Sequence, residues 1–326
     1  MKTIKVTLTF IVVLFGGLTV SSQPPNTNAD PRDPRPDWMR RNDEKREAMD
    51  RTNGKDNRGM IAGRDGNIPK WPGTKPDGKP YSSEELKKMR AMLEPDPSDI
   101  ASNQDLLRTA KTGIFKLFPN FDCEKPYLII VGEKCADFIP GSWTYSFRVK
   151  GHPGPDLYDL RLGDKGEITG DGFLSQSIIV GLGDTSLSNI SLASGGVDFL
   201  TSQKPATAIN DAKTEFRHFK KGVVSGGYTY ANHVSASLNS TYAIRVIAFR
   251  GPKDLTDRLR KNESGNLVKF MAVEHSDKRT DAIFAFRVIR KGADGSLTII
   301  WKELSRRDAP RIVFSKTELL SDIKEK

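Results

Sequence analysis

A mainly β, sandwich-like antiparallel domain with one or two short helices, preceded by a disordered segment, is the fold class this sequence predicts, on three observations. Period-two alternation of apolar and polar residues dominates from Tyr127 onward, and that period marks strands rather than helices. Clusters such as Gly163-Asp164-Lys165-Gly166 and Gly292-Ala293-Asp294-Gly295 punctuate the alternation with residues that tolerate positive φ, as tight hairpins require. Between Gln23 and Ile100 aliphatic residues are sparse, and prolines interleave with charges, as in Asp30-Pro31-Arg32-Asp33-Pro34-Arg35-Pro36-Asp37. Such a stretch buries too little apolar surface to offset the entropy of ordering.

The elements follow in order. Lys2 and Lys5 precede an apolar run from Val6 to Val20 and a small polar exit at Ser21-Ser22-Gln23, the pattern of a signal peptide over residues 1–22. The run is too short for a spanning helix, and no cysteine follows it to take a lipid anchor. The expected location is therefore extracytoplasmic, secreted or periplasmic, with no transmembrane helix after cleavage. Residues 23–100 read as a disordered Pro/charge-rich spacer. Within it a short helix is predicted near 83–94, where Ser82 and Glu85 have capping-box spacing ahead of Leu86, Met89, Met92 and Leu93. Residues 101–326 read as a single β-rich domain of ordinary size.

In that domain strands are predicted at Tyr127 to Val131, Trp143 to Val149, Asp156 to Leu162, Gly172 to Leu182, Ser188 to Ser194, Thr241 to Phe249, Val268 to Glu274, Ile283 to Arg290, Leu297 to Glu303 and Ile312 to Phe314. Helices are predicted around Asn103 to Leu117 and Ile209 to Lys221. In Ala243 to Phe249 and Ile283 to Ile289 both parities are mostly apolar, so these strands are covered on both faces, inside a layered sandwich or under a helix. Arg245 and Arg287 interrupt them. A buried guanidinium needs a carboxylate or several acceptors, and Glu274, Asp281 and Glu303 are the candidate partners. Structural ion pairing and a ligand-facing role both remain open.

Charge is distributed unevenly. Residues 101–203 carry 9 Lys+Arg against 12 Asp+Glu, and residues 204–326 carry 24 against 14. A solvated, solubilising surface accounts for this, and so does an anionic partner. Arg290, Lys291, Lys302, Arg306 and Arg307, with Arg311 and Trp301 nearby, are the candidate anionic-ligand residues. Binding through them weakens with salt. Export disfavours nucleic acid, leaving an anionic envelope polymer, a glycan or another envelope protein as partner classes. Cys123 and Cys135 are the only cysteines, and in an exported chain they read as a disulfide. Sequons begin at Asn189, Asn239 and Asn262.

No catalytic constellation emerges. Gly-x-Ser-x-Gly is absent, and His152, His218, His233 and His275 stand apart from one another and from metal-ligand spacing. No cofactor, metal or catalytic residue is therefore assigned. Two carboxylates suffice for a glycosidase, and Asp156, Asp159, Asp164, Glu167 and Asp171 lie close in sequence, although hairpin turns select Asp for backbone reasons.

Two resemblances accompany this reading. Leu238-Asn239-Ser240-Thr241-Tyr242-Ala243-Ile244-Arg245-Val246 resembles the sixth strand of a fibronectin type III domain. That resemblance implies a sandwich corner in which Tyr242 hydrogen-bonds back along the chain. The succession of Gly141 to Arg148, Gly181 to Asp184, Thr241 to Gly251 and Ala285 to Leu304 is similar to a group of uncharacterised secreted bacterial proteins, which implies one intact exported domain and no activity. The expectation is an exported non-catalytic β-rich binding or structural module of the bacterial envelope or exterior, ligand unknown. The alternative is a secreted carbohydrate-active hydrolase or lyase using paired carboxylates.

Overall fold

The computed structural model describes residues 81–125, 128–129, 135, 138–153, 157–260, 270, 277 and 279–324. All belong to one compact unit spanning Asp56–Lys326. The signal peptide and the spacer up to residue 80 lie outside the described residues, as does the strand expected over Val268 to Glu274, apart from a buried Phe270.

Three helices open the described chain: α1 (Ser83–Leu93), α2 (Pro97–Ser102) and α3 (Gln104–Leu107). The capping box of α1 is formed, with Glu85 N donating to Ser82 Oγ at 3.2 Å and Ser82 N to Glu85 Oε2 at 2.8 Å. The sequence boundary at residue 100 falls inside α2, so the folded part starts before it. The helix expected over Asn103 to Leu117 stops at Leu107. Thr109 and Thr112 hydroxyls take the Leu106 carbonyl, Lys111 turns the chain at φ 63°, and Thr112–Leu117 continues as strand β1. Side-chain hydroxyls competing for helix carbonyls explain the stop.

The remaining strands are β2 (Glu124–Lys125), β3 (Leu128–Ile129), β4 (Thr144–Tyr145), β5 (Leu160–Leu162), β6 (Glu167–Thr169), β7 (Ser175–Gly183), β8 (Val223–Ser225), β9 (Tyr228–Ala231), β10 (His233–Ser235), β11 (Thr241–Ala248), β12 (Thr280–Lys291) and β13 (Leu297–Asp308). Helices α4 (Val197–Ser202), α5 (Ile209–Lys221) and α6 (Leu255–Arg260) complete the described elements. Ser188 to Ser194 is not a strand. A 3-10 turn over Leu187–Asn189 leads into a loop in which Ser191 N donates to Ser194 Oγ at 2.9 Å, again a hydroxyl taking a backbone group. Ile312 to Phe314 contributes only a parallel bridge between Ala208 and Val313.

A seven-stranded antiparallel sheet in the order β1-β13-β12-β11-β7-β9-β8 forms the centre, and a four-stranded sheet in the order β10-β6-β5-β4 lies over one face. Parity sorts the core. Phe115, Ile244, Phe284, Phe286, Ile299 and Trp301 pack against Tyr145, Phe147, Leu160, Leu162 and Ile168 between the sheets. Ile178, Val180, Ala243, Ile283, Ala285 and Ile300 face Val197, Leu200 and Phe219 of α4 and α5 on the other side. Both covers foreseen for the doubly apolar strands are therefore present, a second sheet on one face and helices on the other. Gly113 of β1 faces Trp301, where an added Cβ would stand 2.7 Å from the indole nitrogen.

The Cys123–Cys135 disulfide is formed, and closing its loop contributes about 3 kcal/mol. Beside it Glu124 Oε2 accepts from Gly141 N and Trp143 Nε1, both at 2.7 Å, and burial raises its pKa. Tyr242 hydrogen-bonds back along the chain: its hydroxyl donates to Ser235 O at 3.0 Å and accepts from Ser237 N at 2.9 Å.

Candidate functional site

The helix-facing side of the central sheet carries Arg245 and Arg287, with partners of different kinds. Arg245 is fully buried on β11 and grips Asp281 of β12 through two parallel bonds, Nε to Oδ1 at 2.8 Å and Nη2 to Oδ2 at 2.7 Å. Its remaining Nη1 donates to Leu200 O and Gln203 O at the end of α4. A planar fork bound to a carboxylate and two carbonyls is a fully satisfied buried cation. Glu215 of α5 lies close by, and burial raises its pKa against the opposing pull of Gln176 and Arg245. Among the described residues Arg287 pairs with neither Asp281 nor Glu303. It bonds Asp184 Oδ1 at 2.6 Å, Thr185 O at 3.0 Å and Thr241 Oγ1 at 3.0 Å. Glu303 binds Lys111 and Arg306 instead, and Glu274 lies outside the described residues.

A second ionic network lies where the residues before β5 meet the segment leading into β12. Arg148 Nε donates to Asp159 Oδ1 at 2.6 Å, and its Nη1 straddles both oxygens of Asp277 at 2.7 Å. Asp277 Oδ2 also pairs with Arg279 Nε at 2.9 Å, while Arg279 donates to Leu174 O and Phe173 O. Burial opposes the charge on Arg148, but Asp159 and Asp277 together raise its pKa. Burial also dominates at Arg279 and pulls its pKa down to about 10. Asp159 and Asp277 are brought together on the Arg148 cation, and both are fully buried in those bonds.

The acidic run splits accordingly. Asp159 belongs to this network, and Asp171 accepts from Tyr158 Oη at 2.6 Å and pairs with Arg161. Asp164 and Glu167 are exposed at the β5–β6 hairpin, and Asp156 is outside the described residues. His152 Nδ1 lies 2.6 Å from Thr144 O, and burial lowers its pKa. His233 lies 3.8 Å from Glu167, His218 stands in the last turn of α5, and His275 is not described.

Four of the five candidate anionic-ligand residues fall at two ends of one hairpin. Register sets Arg290 and Lys291 opposite Thr298 and Leu297 beside the turn, and Arg306 and Arg307 opposite Ala282 and Asp281. Eight residues of strand separate the two ends, about 27 Å. Lys302 lies between them with Nζ 3.0 Å from Ser188 O. Lys291 Nζ donates to Ala236 O at 3.0 Å, Arg306 binds Glu303, and Arg307 Nη2 is 3.5 Å from Asp281 Oδ2.

Arg290 is held differently, by a segment distant in sequence. Its Nε and Nη2 donate to the two Asp99 oxygens at 2.7 and 2.8 Å, and Nη2 also reaches Ser98 Oγ at 3.1 Å. Thr298 is the register partner of both Arg290 and Lys116 of β1, so Lys116, Thr298 and Arg290 form a row across three strands. Sequence reasoning missed Lys116 because it read β1 as helix. It missed Asp96 and Asp99 because they lie in the segment taken as spacer.

Among the described residues no helix is long and apolar enough to cross a membrane, and no group of three or more His, Cys, Asp or Glu is arranged to hold a metal ion. Comparison with protein-family profiles, with curated proteins and with solved structures returned no match.

Proposed function

We propose that this chain is an exported, non-catalytic binding or structural module of the bacterial envelope or exterior. The observation that carries the reading is the division of its charges. The interior arginines are spent on carboxylates and carbonyls, while Arg290, Lys291, Arg306 and Arg307 stand exposed on the long β12–β13 hairpin. The N-terminal charged and apolar run and the disulfide support export, and the filled aromatic interior between the sheets supports a module that binds at its surface.

The test is a thermal-shift series on the secreted chain with an acidic polypeptide, an anionic polysaccharide, a neutral glycan, calcium and a chelator, at low and high salt, paired with an assay for glycan cleavage. A native-state ligand raises Tm, and the expected result is a salt-sensitive rise with an anionic ligand and no cleavage. Time-dependent glycan cleavage abolished by replacing a carboxylate overturns the non-catalytic assignment.

A further inference from the structure

The row Lys116, Thr298 and Arg290 is a cationic strip with an occupant. Neighbouring strands lie about 4.8 Å apart, which places the Lys116 and Arg290 backbones about 10 Å from each other on the face that α4 and α5 cover elsewhere. Asp99 seats its carboxylate on Arg290 with its side chain only 12% exposed, although the Arg290 side chain is 46% exposed. Asp96 lies 3.9 Å from the same guanidinium. Hydrogen bonds from Ser98, then the charges of Arg290 and Lys116, hold the Asp96 carboxyl below its usual range. Lys116 also feels Asp294 of the hairpin turn and lies 4.6 Å over the Phe118 ring.

The arm carrying these acids buries little apolar surface, its core contact among the described residues being the half-buried Leu106 and Leu107 of α3. Helices α1, α2 and α3 contribute no buried residue, whereas α5 buries Ile209, Ala212, Phe216 and Phe219. Met92 and Ile100 of the arm are 36% and 41% exposed. With so little apolar burial, the ion clamp at Arg290 is a specific polar contact between α2 and the sheet. Exposed ion pairs are weak and screened by salt, so such a clamp is exchangeable.

We propose that the Lys116–Thr298–Arg290 row is a recognition site for an acidic peptide segment of a partner protein, held closed in cis by the chain's own Asp96–Asp99. The inference rests on the binding-module reading and names the ligand class. The segment already seated there is Asp-Pro-Ser-Asp, the N-cap and first turn of α2, so the complementary ligand is a short peptide with spaced carboxylates. A partner segment binds by displacing the arm, against a tethered competitor present at high effective concentration.

The experiment uses the full secreted chain and a fluorescent peptide copying residues 94–103. Opening the arm with Asp96→Asn and Asp99→Asn is expected to tighten peptide binding by about tenfold, because the cis competitor is removed. In that background Arg290→Ala, and separately Lys116→Ala, should abolish the gain, as should high salt. Trypsin cleavage at Lys87, Lys88 and Arg90 should accelerate in the opened variant and in Arg290→Ala while Tm is unchanged, which shows that the variants remain folded. Equal peptide affinity in the closed and opened chains overturns the proposal. So does tighter binding of an anionic polysaccharide than of the peptide to the opened row. If the thermal-shift series finds a ligand indifferent to Arg290→Ala, this site assignment fails while the module reading stands.

Discussion

Arg245 and Arg290 stand on the same face of the same sheet, on the neighbouring strands β11 and β12, and differ in role. Arg245 spends its guanidinium on Asp281, Leu200 O and Gln203 O with no exposure, so strand β11, strand β12 and helix α4 are fixed by one side chain. Arg290 spends its own on a single segment at the rim, half open to water. The difference teaches that a cation's role follows from the number and depth of the elements it joins. A buried fork that ties its own strand to two further elements is architecture, while an exposed fork with one partner segment is a contact that can be traded.

The largest way to break that contrast is Arg245→Met. Removing one member of a buried pair leaves the Asp281 carboxylate with only the half-exposed Arg307 at 3.5 Å and is expected to cost about 3 kcal/mol, read as a fall in the denaturation midpoint. Arg287 is intermediate, since its Asp184 partner is 78% exposed while its other bonds are sheltered. Arg287→Met is expected to cost about 2 kcal/mol, the range for bonds to a charged group. If the two substitutions cost the same, depth does not order the arginines.

Glu215 sharpens the interior side of the comparison through pH. Burial raises its folded-state pKa above the unfolded value, so the folded chain binds more protons than the unfolded one in that window. Stability contributed by the protonated form is present below the ordinary carboxylate range and is lost as pH rises through the raised pKa. Glu215→Gln should therefore raise Tm at neutral pH by about 2 °C and leave it unchanged at acidic pH. Glu124, also raised by burial, shifts the wild-type profile the same way, so the reading is the difference between variant and wild type. The smallest thermal effect belongs to the rim: Arg290→Ala is expected to leave Tm within about 1 °C, and a larger fall would move Arg290 into the architectural class.

Legibility in the sequence follows the same division. Strands β11 and β12 were readable because both of their faces are apolar, β13 from its alternation, and α5 because Phe216 and Phe219 recur at helical spacing. Asp281 was named as a partner for Arg245 because a buried guanidinium demands a carboxylate. The Arg148–Asp159–Asp277–Arg279 network was not readable, since Arg148 and Asp277 are 129 positions apart and no local pattern joins them. The cationic row was hidden for a similar reason: Thr112 to Leu117 is too short an apolar run for periodicity to separate strand from helix. Without β1 in place, Lys116 has no register with Arg290.

The ends of the seven-stranded sheet carry a further consequence. One edge is β8, three residues long and closed by the Gly226-Gly227 turn. The other is β1, six residues long, with α1 and α3 packed beside it. A short border strand is a poor template for pairing, whereas a longer one left bare recruits copies of itself. The arm that carries Asp99 thus also acts as a guard for solubility, and any chain that loses it gains a strand edge on which self-assembly can start.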